Sequence, residues 1–361
     1  MRQTTINGIS IRYADAVGFA FLPCIFEARG NDLASMDIEI SIKGYVYNFS
    51  SEAFKTKCIA DYREYIQDAF DGIGFGFESD EYELDYEISS LMEKANIEVT
   101  FSNASGDRLG AFIFSTSYVW GAMRPGEVWN GHKRLKWFTH FPFSFGLYAN
   151  ADTKILVSPN GAPQKYIDIP REGMYDFFNT HLDPSAKRTI IYNYDGEIKQ
   201  ATFDNTFDLT FYLEGGKQSE LLCIEHDDTE EGIYLRWIDR HGFYRYWLFT
   251  QGENERAISS DTSFIRNNLA AYQDTYAYAG EYGRRQGYQR EDTITLCAPL
   301  VDSDTYDLLQ DVASSPVVDM YMSDGSWQGV TIKAGSYTKS TAILQDFVCN
   351  LVLNNTNIQQ L

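Results

Sequence analysis

Basic residues are scarce in this chain: 30 Lys and Arg stand against 51 Asp and Glu in 361 residues, a formal net charge of −21 at pH 7. A protein that follows the nucleic-acid backbone needs a positive groove to displace counterions. The densest basic stretches here are only His132-Lys133-Arg134-Leu135-Lys136 and Gly283-Arg284-Arg285. Nucleic acid and anionic lipid are therefore disfavoured as partners. Cysteine is equally sparse. Cys24, Cys58, Cys223, Cys297 and Cys349 are odd in number and far apart, which excludes a fully paired disulfide framework and any Cys-x-x-Cys metal knuckle. They read as small buried hydrophobes. No apolar run approaches the ~20 residues that span a bilayer, and Met1-Arg2-Gln3-Thr4-Thr5-Ile6-Asn7 lacks the apolar core of a signal peptide. A cytoplasmic site of synthesis, without membrane insertion, is the expectation.

With 44% hydrophobic and 22% charged residues the composition is that of a folded globular chain. Its aromatic share is high, at 25 Tyr, 24 Phe and 6 Trp, and aromatic rings suit half-buried pleated surfaces. Period-2 alternation recurs. Met36-Asp37-Ile38-Glu39-Ile40-Ser41-Ile42-Lys43, Tyr82 to Ile88, Ile97 to Ser102, Thr293 to Cys297 and Phe347 to Leu351 each predict a strand with one dry and one wet face, the pattern of antiparallel sheets. Two segments carry a helical period. Ser51 to Phe70 puts Phe54, Cys58, Tyr62, Tyr65, Ile66, Ala69 and Phe70 on one face, with Ser51 as N-cap and Gly72 as terminator. Ser303 to Ala313 carries Tyr306, Leu309 and Val312 on one stripe and stops at Ser314-Ser315-Pro316.

Between about residues 103 and 184 periodicity gives way to aromatic loops and turns such as Arg124-Pro125-Gly126 and Asn160-Gly161-Ala162-Pro163. Regular strands resume at Ile190-Ile191-Tyr192, Leu209 to Leu213 and Leu221 to Ile224. The expected organisation is mainly β, with two antiparallel sandwich- or barrel-like domains and a few short helices. An N-terminal β-rich domain covers residues 1–150 with one helix at about 51–70, a connecting segment covers 151–184, and a C-terminal β-rich domain covers 185–361 with one helix at about 303–313.

No P-loop, GxSxG elbow or HExxH helix is present in the sequence. Gly72-Ile73-Gly74-Phe75-Gly76 follows the predicted helix instead of opening one, so its amides do not sit at a helix N-terminus. Glu81, Glu83, Asp85 and Glu87 share one face of a predicted strand. They read either as a solvated face that blocks edge pairing or as a Ca²⁺ site or a glycosidase-like carboxylate pair. His132, His140, His181, His226 and His241 show no metal-ligand spacing, and His226-Asp227-Asp228 and His241-Gly242 read as turn tips. Trp120, Trp129 and Trp137 are candidates for stacking on sugar rings or for burial against a partner or core. No catalytic, cofactor or metal residues are assigned.

Gly232 to Thr250, with Trp237-Ile238-Asp239-Arg240-His241-Gly242-Phe243-Tyr244-Arg245-Tyr246-Trp247-Leu248-Phe249 at its centre, reads as two aromatic strands around an Asp-Arg-His-Gly turn. It resembles a segment of uncharacterised tail and virion structural proteins of Bacteroidetes bacteriophages and prophages, in which a strand ending in a Trp-Leu-Phe triplet follows such a turn. Thr305 to Val318, with its helix followed by Ser314-Ser315-Pro316-Val317, is similar to the same proteins, as are Trp327 to Lys333, Gly335 to Thr338, Leu344 to Phe347 and the tail Asn354-Asn355-Thr356-Asn357. The resemblance covers about residues 230 to 361, with Trp137 to Phe143 the main echo before it. It implies a virion component of the tail or distal tail, assembled in the host cytoplasm as a homo-oligomer with neighbouring tail proteins, and it supplies no catalytic residues. The rival readings are a carbohydrate- or receptor-binding protein using the Trp-rich 118–140 region, and a glycan-degrading enzyme using Glu83 and Asp85.

Overall fold

A computed structural model describes residues 1–71, 86–123, 134–149, 153–158, 165–169, 171–178, 188–194, 197–203, 208–215, 218–260, 263–265, 283–285 and 288–353. The chain is mainly β, with several largely antiparallel sheets and two short α-helices among the described residues. It divides into two compact units: Met1–Thr229 with Ile238–Tyr246, and Glu230–Trp237 with Trp247–Leu361.

The first unit opens with two facing sheets. One has the order Arg2–Ile6, Ile9–Tyr13, Ile25–Arg29, Lys57–Asp61; the other runs Val17–Phe19, Arg108–Val119, Met92–Ser102, Ser35–Ile42, Tyr45–Glu52. Alternation decides which residues meet between them. Met36, Ile38, Ile40 and Ile42 from one strand and Ile97, Val99 and Phe101 from the next are all buried, while Asp37 and Glu39 point outward. From the opposing sheet Phe26 lays its ring 5.8 Å from Phe114 and 6.3 Å from Phe101, stacked on both. This is a β-sandwich core. Two polar atoms enter it together: the hydroxyls of Tyr62 and Tyr118 lie 2.7 Å apart and satisfy each other.

The helix expected over 51–70 is corrected. Ser51 ends inside the strand Tyr45–Glu52, Lys57–Asp61 is a strand, and only Arg63–Asp68 (α1) is helical. Ser51 is not an N-cap, since its hydroxyl donates to the Ile59 carbonyl at 3.0 Å, and Gly72 lies outside the described residues. The cause is arithmetic. Residues four apart share a face on a helix and, four being even, on a strand as well, so Phe54, Cys58 and Tyr62 fit both readings. Exposed Ile59 between buried Cys58 and Ala60 fits only the strand.

The stretch 103–184, expected to be loops, contains Arg108–Val119, Arg134–Phe138, Ser144–Ala149, Thr153–Ser158, Lys165–Ile169 and Gly173–Phe178. Ser144–Ala149 is buried on both faces apart from Tyr148, so it shows no alternation to read. It pairs with Gly173–Phe178, which also pairs with Tyr86–Ile88. Arg134–Phe138, Gln218–Asp227, Asp208–Gly215, Thr153–Ser158 and Lys165–Ile169 form a further sheet, in that order.

The second unit holds most of a seven-stranded sheet ordered Trp327–Gly329, Val318–Tyr321, Ile233–Ile238, Tyr244–Ser260, Tyr288–Val301, Gln345–Leu353, Thr331–Ile332. The helix Ser303–Gln310 (α2) continues as a 3-10 turn over Asp311–Ala313, the span read from the sequence. Asp302 caps it by accepting the Thr305 amide at 2.8 Å. Tyr306 and Leu309 face the sheet, with the Tyr306 ring edge-on to Phe347 at 5.5 Å.

Candidate functional site

Charge is buried at one turn. Between Ile233–Ile238 and Tyr244–Ser260, residues 239–243 reverse the chain, with the Asp239 amide donating to the Phe243 carbonyl at 2.9 Å and Gly242 donating to Asp239 at 3.0 Å. The Asp239 side chain repeats this inside the turn. Its Oδ1 accepts the amides of His241 at 2.9 Å and Phe243 at 3.0 Å, and its Oδ2 accepts Arg245 Nε at 2.6 Å. His241 Nδ1 stands 3.6 Å from the same oxygen. Asp239, His241 and Arg245 are all buried. Burial by itself would raise the Asp239 pKa, but the Arg245 charge, the His241 contact and the Phe243 amide outweigh it and hold the carboxyl well below the usual carboxylate range.

The turn is seated within its unit by missing side chains elsewhere. A Cβ on Gly146 would lie 2.2 Å from Phe243 Cδ1, and one on Gly121 would lie 2.5 Å from the Arg240 carbonyl oxygen. These glycines are the sockets that admit the turn. Ala122 donates its amide to Arg240 at 2.8 Å, the Ser144 and Tyr246 hydroxyls meet at 2.7 Å, and Phe143 packs on Tyr246 at 5.5 Å. Across the strand pair from Gly146 lies Asp176, itself buried. The Asp239 carboxylate, with both oxygens accepting from donors inside the chain, acts as a structural clamp on the hairpin.

A pH dependence follows with a definite sign. Because the folded Asp239 pKa is depressed, its contribution to stability is fully present above the unfolded value of about 3.9 and is lost as pH falls below it. Urea unfolding midpoints measured from pH 7 to pH 2 are expected to fall more steeply for the wild type than for Asp239→Asn below about pH 4.

The other residues singled out by sequence do not gather. His140 is exposed, His226 belongs to the strand Gln218–Asp227 instead of a turn tip, and His132 and His181 lie outside the described residues. Glu81, Glu83 and Asp85 also lie outside them, and Glu87 sits on Tyr86–Ile88 opposite Asp176. Among the described residues no group of three His, Cys, Asp or Glu is placed to hold a metal ion. Cys24, Cys58 and Cys349 are buried and Cys297 half-buried. Burial pushes the Cys24 and Cys349 thiols up to about 12. Trp120 and Trp137 are buried as well, Trp120 edge-on to Phe21 at 5.1 Å and Trp137 stacked on Phe143 at 6.3 Å; neither offers an open face to a sugar. Trp129 lies outside the described residues.

No family model and no curated protein matches this chain. Similar solved structures include a 1.5-MDa bacterial ice-binding adhesin studied for host cell surface retention, 10% identical, covering 94% of this chain and 93% of that one at a TM-score of 0.18. Another is a protein of unknown function from Porphyromonas gingivalis W83, 4% identical, covering 61% of this chain and 99% of that one at a TM-score of 0.17. Likenesses this slight carry no argument. Among the described residues no helix is long and apolar enough to cross a membrane.

Proposed function

We propose that this chain is a non-enzymatic structural subunit of a bacteriophage or prophage virion, a tail or distal-tail component that self-associates and docks onto neighbouring tail proteins. The observation that carries this reading is the buried Asp239 turn. It lies in the segment whose sequence resembles such proteins, and its charged groups are turned inward to hold a hairpin. The aromatic-rich composition suits interface cores, and a net charge of −21 opposes association before the proper partner is met. The carbohydrate-binding alternative loses support at Trp120 and Trp137, whose rings are buried.

Ring-forming subunits meet through heterologous interfaces, each burying on the order of 1,200 Å² or more. Sedimentation velocity with light scattering is expected to show one discrete oligomer whose population rises with salt, because screening weakens acidic repulsion. A monomer at every concentration and salt would count against self-association.

A further inference from the structure

The core of the first unit ends on a row of rings. Tyr45–Glu52 is the last strand of its sheet and, among the described residues, pairs only with Ser35–Ile42. Tyr45, Tyr47 and Phe49 lie opposite Ile42, Ile40 and Ile38 and share their face. The isoleucines are buried, whereas Tyr47 and Phe49 are half-buried and Tyr45 is 55% exposed. The helix α1 adds a further ring. Tyr65 stacks on Phe49 at 4.8 Å and meets Tyr47 at 5.4 Å, and Tyr47 meets Tyr45 at 6.3 Å. Phe49, Tyr65, Tyr47 and Tyr45 are therefore one continuous surface, and Tyr45 is its open end.

Carboxylates border that same surface. The Tyr47 hydroxyl donates to Asp68 of α1 at 2.7 Å, and Asp71 stands close enough to act on the same phenol. Desolvation, the Asp68 hydrogen bond and the charges around it, Asp71 included, push the Tyr47 phenol up to about 12. Asp68 and Asp71 are both exposed, and among the described residues neither forms an ion pair. The cations nearest in sequence are engaged elsewhere: Lys43 with Glu93, Lys57 with Glu27, Arg63 with Asp61, and Lys55 over the Phe54 ring. Residues 72–87, which follow, bring six acids and no Lys or Arg to the sequence.

Charge decides what fits there. Electron-rich ring faces and uncompensated carboxylates both attract a cation, and they do so additively when they share one surface. Arginine suits the pair better than lysine, because a planar guanidinium can lie on a ring while its edge forks to a carboxylate. A neutral sugar would use the rings but leave both charges uncompensated. A second copy, with its own net charge of −21, would approach this field against repulsion, whereas a basic partner would be drawn to it.

We propose that Tyr45, Tyr47, Asp68 and Asp71 form a docking site for an arginine side chain of a different protein, with the guanidinium stacked on the open ring and paired with the carboxylates. Such a site would serve a virion or any other assembly, so it stands apart from the tail reading.

The test uses the full chain and two fluorescein-labelled peptides of equal length and charge, one alternating Gly with Arg and the other Gly with Lys, followed by anisotropy at moderate salt. The Arg peptide is expected to bind saturably and about fivefold more tightly than the Lys peptide. Asp68→Asn keeps an oxygen for the Tyr47 hydroxyl but removes the charge, and it should weaken Arg-peptide binding about tenfold. Tyr45→Ala should weaken it about threefold, the worth of one exposed cation–π contact. Both side chains are exposed, so urea midpoints should stay near wild type. Glu39→Gln removes the same charge from the outward face of the neighbouring strand and should change binding less than about twofold. Equal weakening by Glu39→Gln and Asp68→Asn, or equal affinity for the two peptides, would reduce the effect to bulk charge and overturn the proposal. So would undiminished binding by both Asp68→Asn and Tyr45→Ala, or no saturable binding of the Arg peptide at all. Self-association lost in Tyr45→Ala would overturn it as well, by making a second copy the occupant. The tail reading fails separately, on absence of any oligomer with Arg-peptide binding intact.

Discussion

Asp239→Ala is expected to cost about 3–5 kcal/mol of folding stability, the usual penalty for leaving one partner of a buried ion pair without the other. Three contacts vanish at once: the two amides of His241 and Phe243 and the Arg245 guanidinium each lose their acceptor. The buried guanidinium dominates, because a charge left without its counterion in a dry interior is worse than a lost neutral hydrogen bond. Arg245→Met on top of Asp239→Ala removes that orphaned charge, and it is expected to restore part of the loss. The coupling read from the double-mutant cycle by urea unfolding should exceed about 1 kcal/mol. A loss below about 1 kcal/mol for Asp239→Ala alone would mean that water reaches the turn and that the pair is not buried in solution.

The second large effect is expected at Gly242. Its φ is +81°, and a Cβ there would lie 2.3 Å from Val119 Cγ1 and 3.2 Å from the Trp120 carbonyl oxygen. Gly242→Ala therefore combines left-handed strain with overpacking, for a total of about 2–4 kcal/mol. Gly44→Ala separates the two components. Gly44 has nearly the same φ, +82°, with nothing within 4 Å of an added Cβ, so it should register the conformational part alone, about 1–2 kcal/mol. Similar thermal or urea destabilisation in the two variants would show that the turn is not seated against Val119.

Much of the fold could be read from the chain where burial is one-sided. The alternations at Met36 to Ile42, Ile97 to Phe101 and Phe347 to Leu351 are strands with those apolar residues inward. The helix at Ser303 was legible from its stripe and its Pro316 stop. Reading failed where the signal was degenerate or lost: the four-residue spacing of Phe54, Cys58 and Tyr62 suits a strand as well as a helix, and Ser144–Ala149, covered on both sides, has no wet face to set the period. The site was half legible. Asp-Arg-His-Gly declares a turn, and polar turns normally sit at the surface. The hint of burial was the apolar company, Trp237-Ile238 before it and Phe243-Tyr244 after, together with an arginine that needed a counterion. The seating glycines, Gly121 and Gly146, had no local signal, since their role comes from residues about a hundred positions away.

The hairpin through Ile233 and Tyr246 crosses from one compact unit to the other and back within about twenty residues. During synthesis, the first 229 residues must therefore wait for a short downstream segment before their core is complete, and by then the opening strand of the second unit has already emerged. No single cut of the chain leaves both units whole: one after Tyr246 keeps all of the first unit but takes Glu230–Trp237 from the second, and one after Thr229 takes Ile238–Tyr246 from the first. Proteolysis between residues 230 and 247 is thus expected to leave at least one fragment lacking a piece of its own unit, the second unit losing its opening strand whenever the cut falls after Trp237.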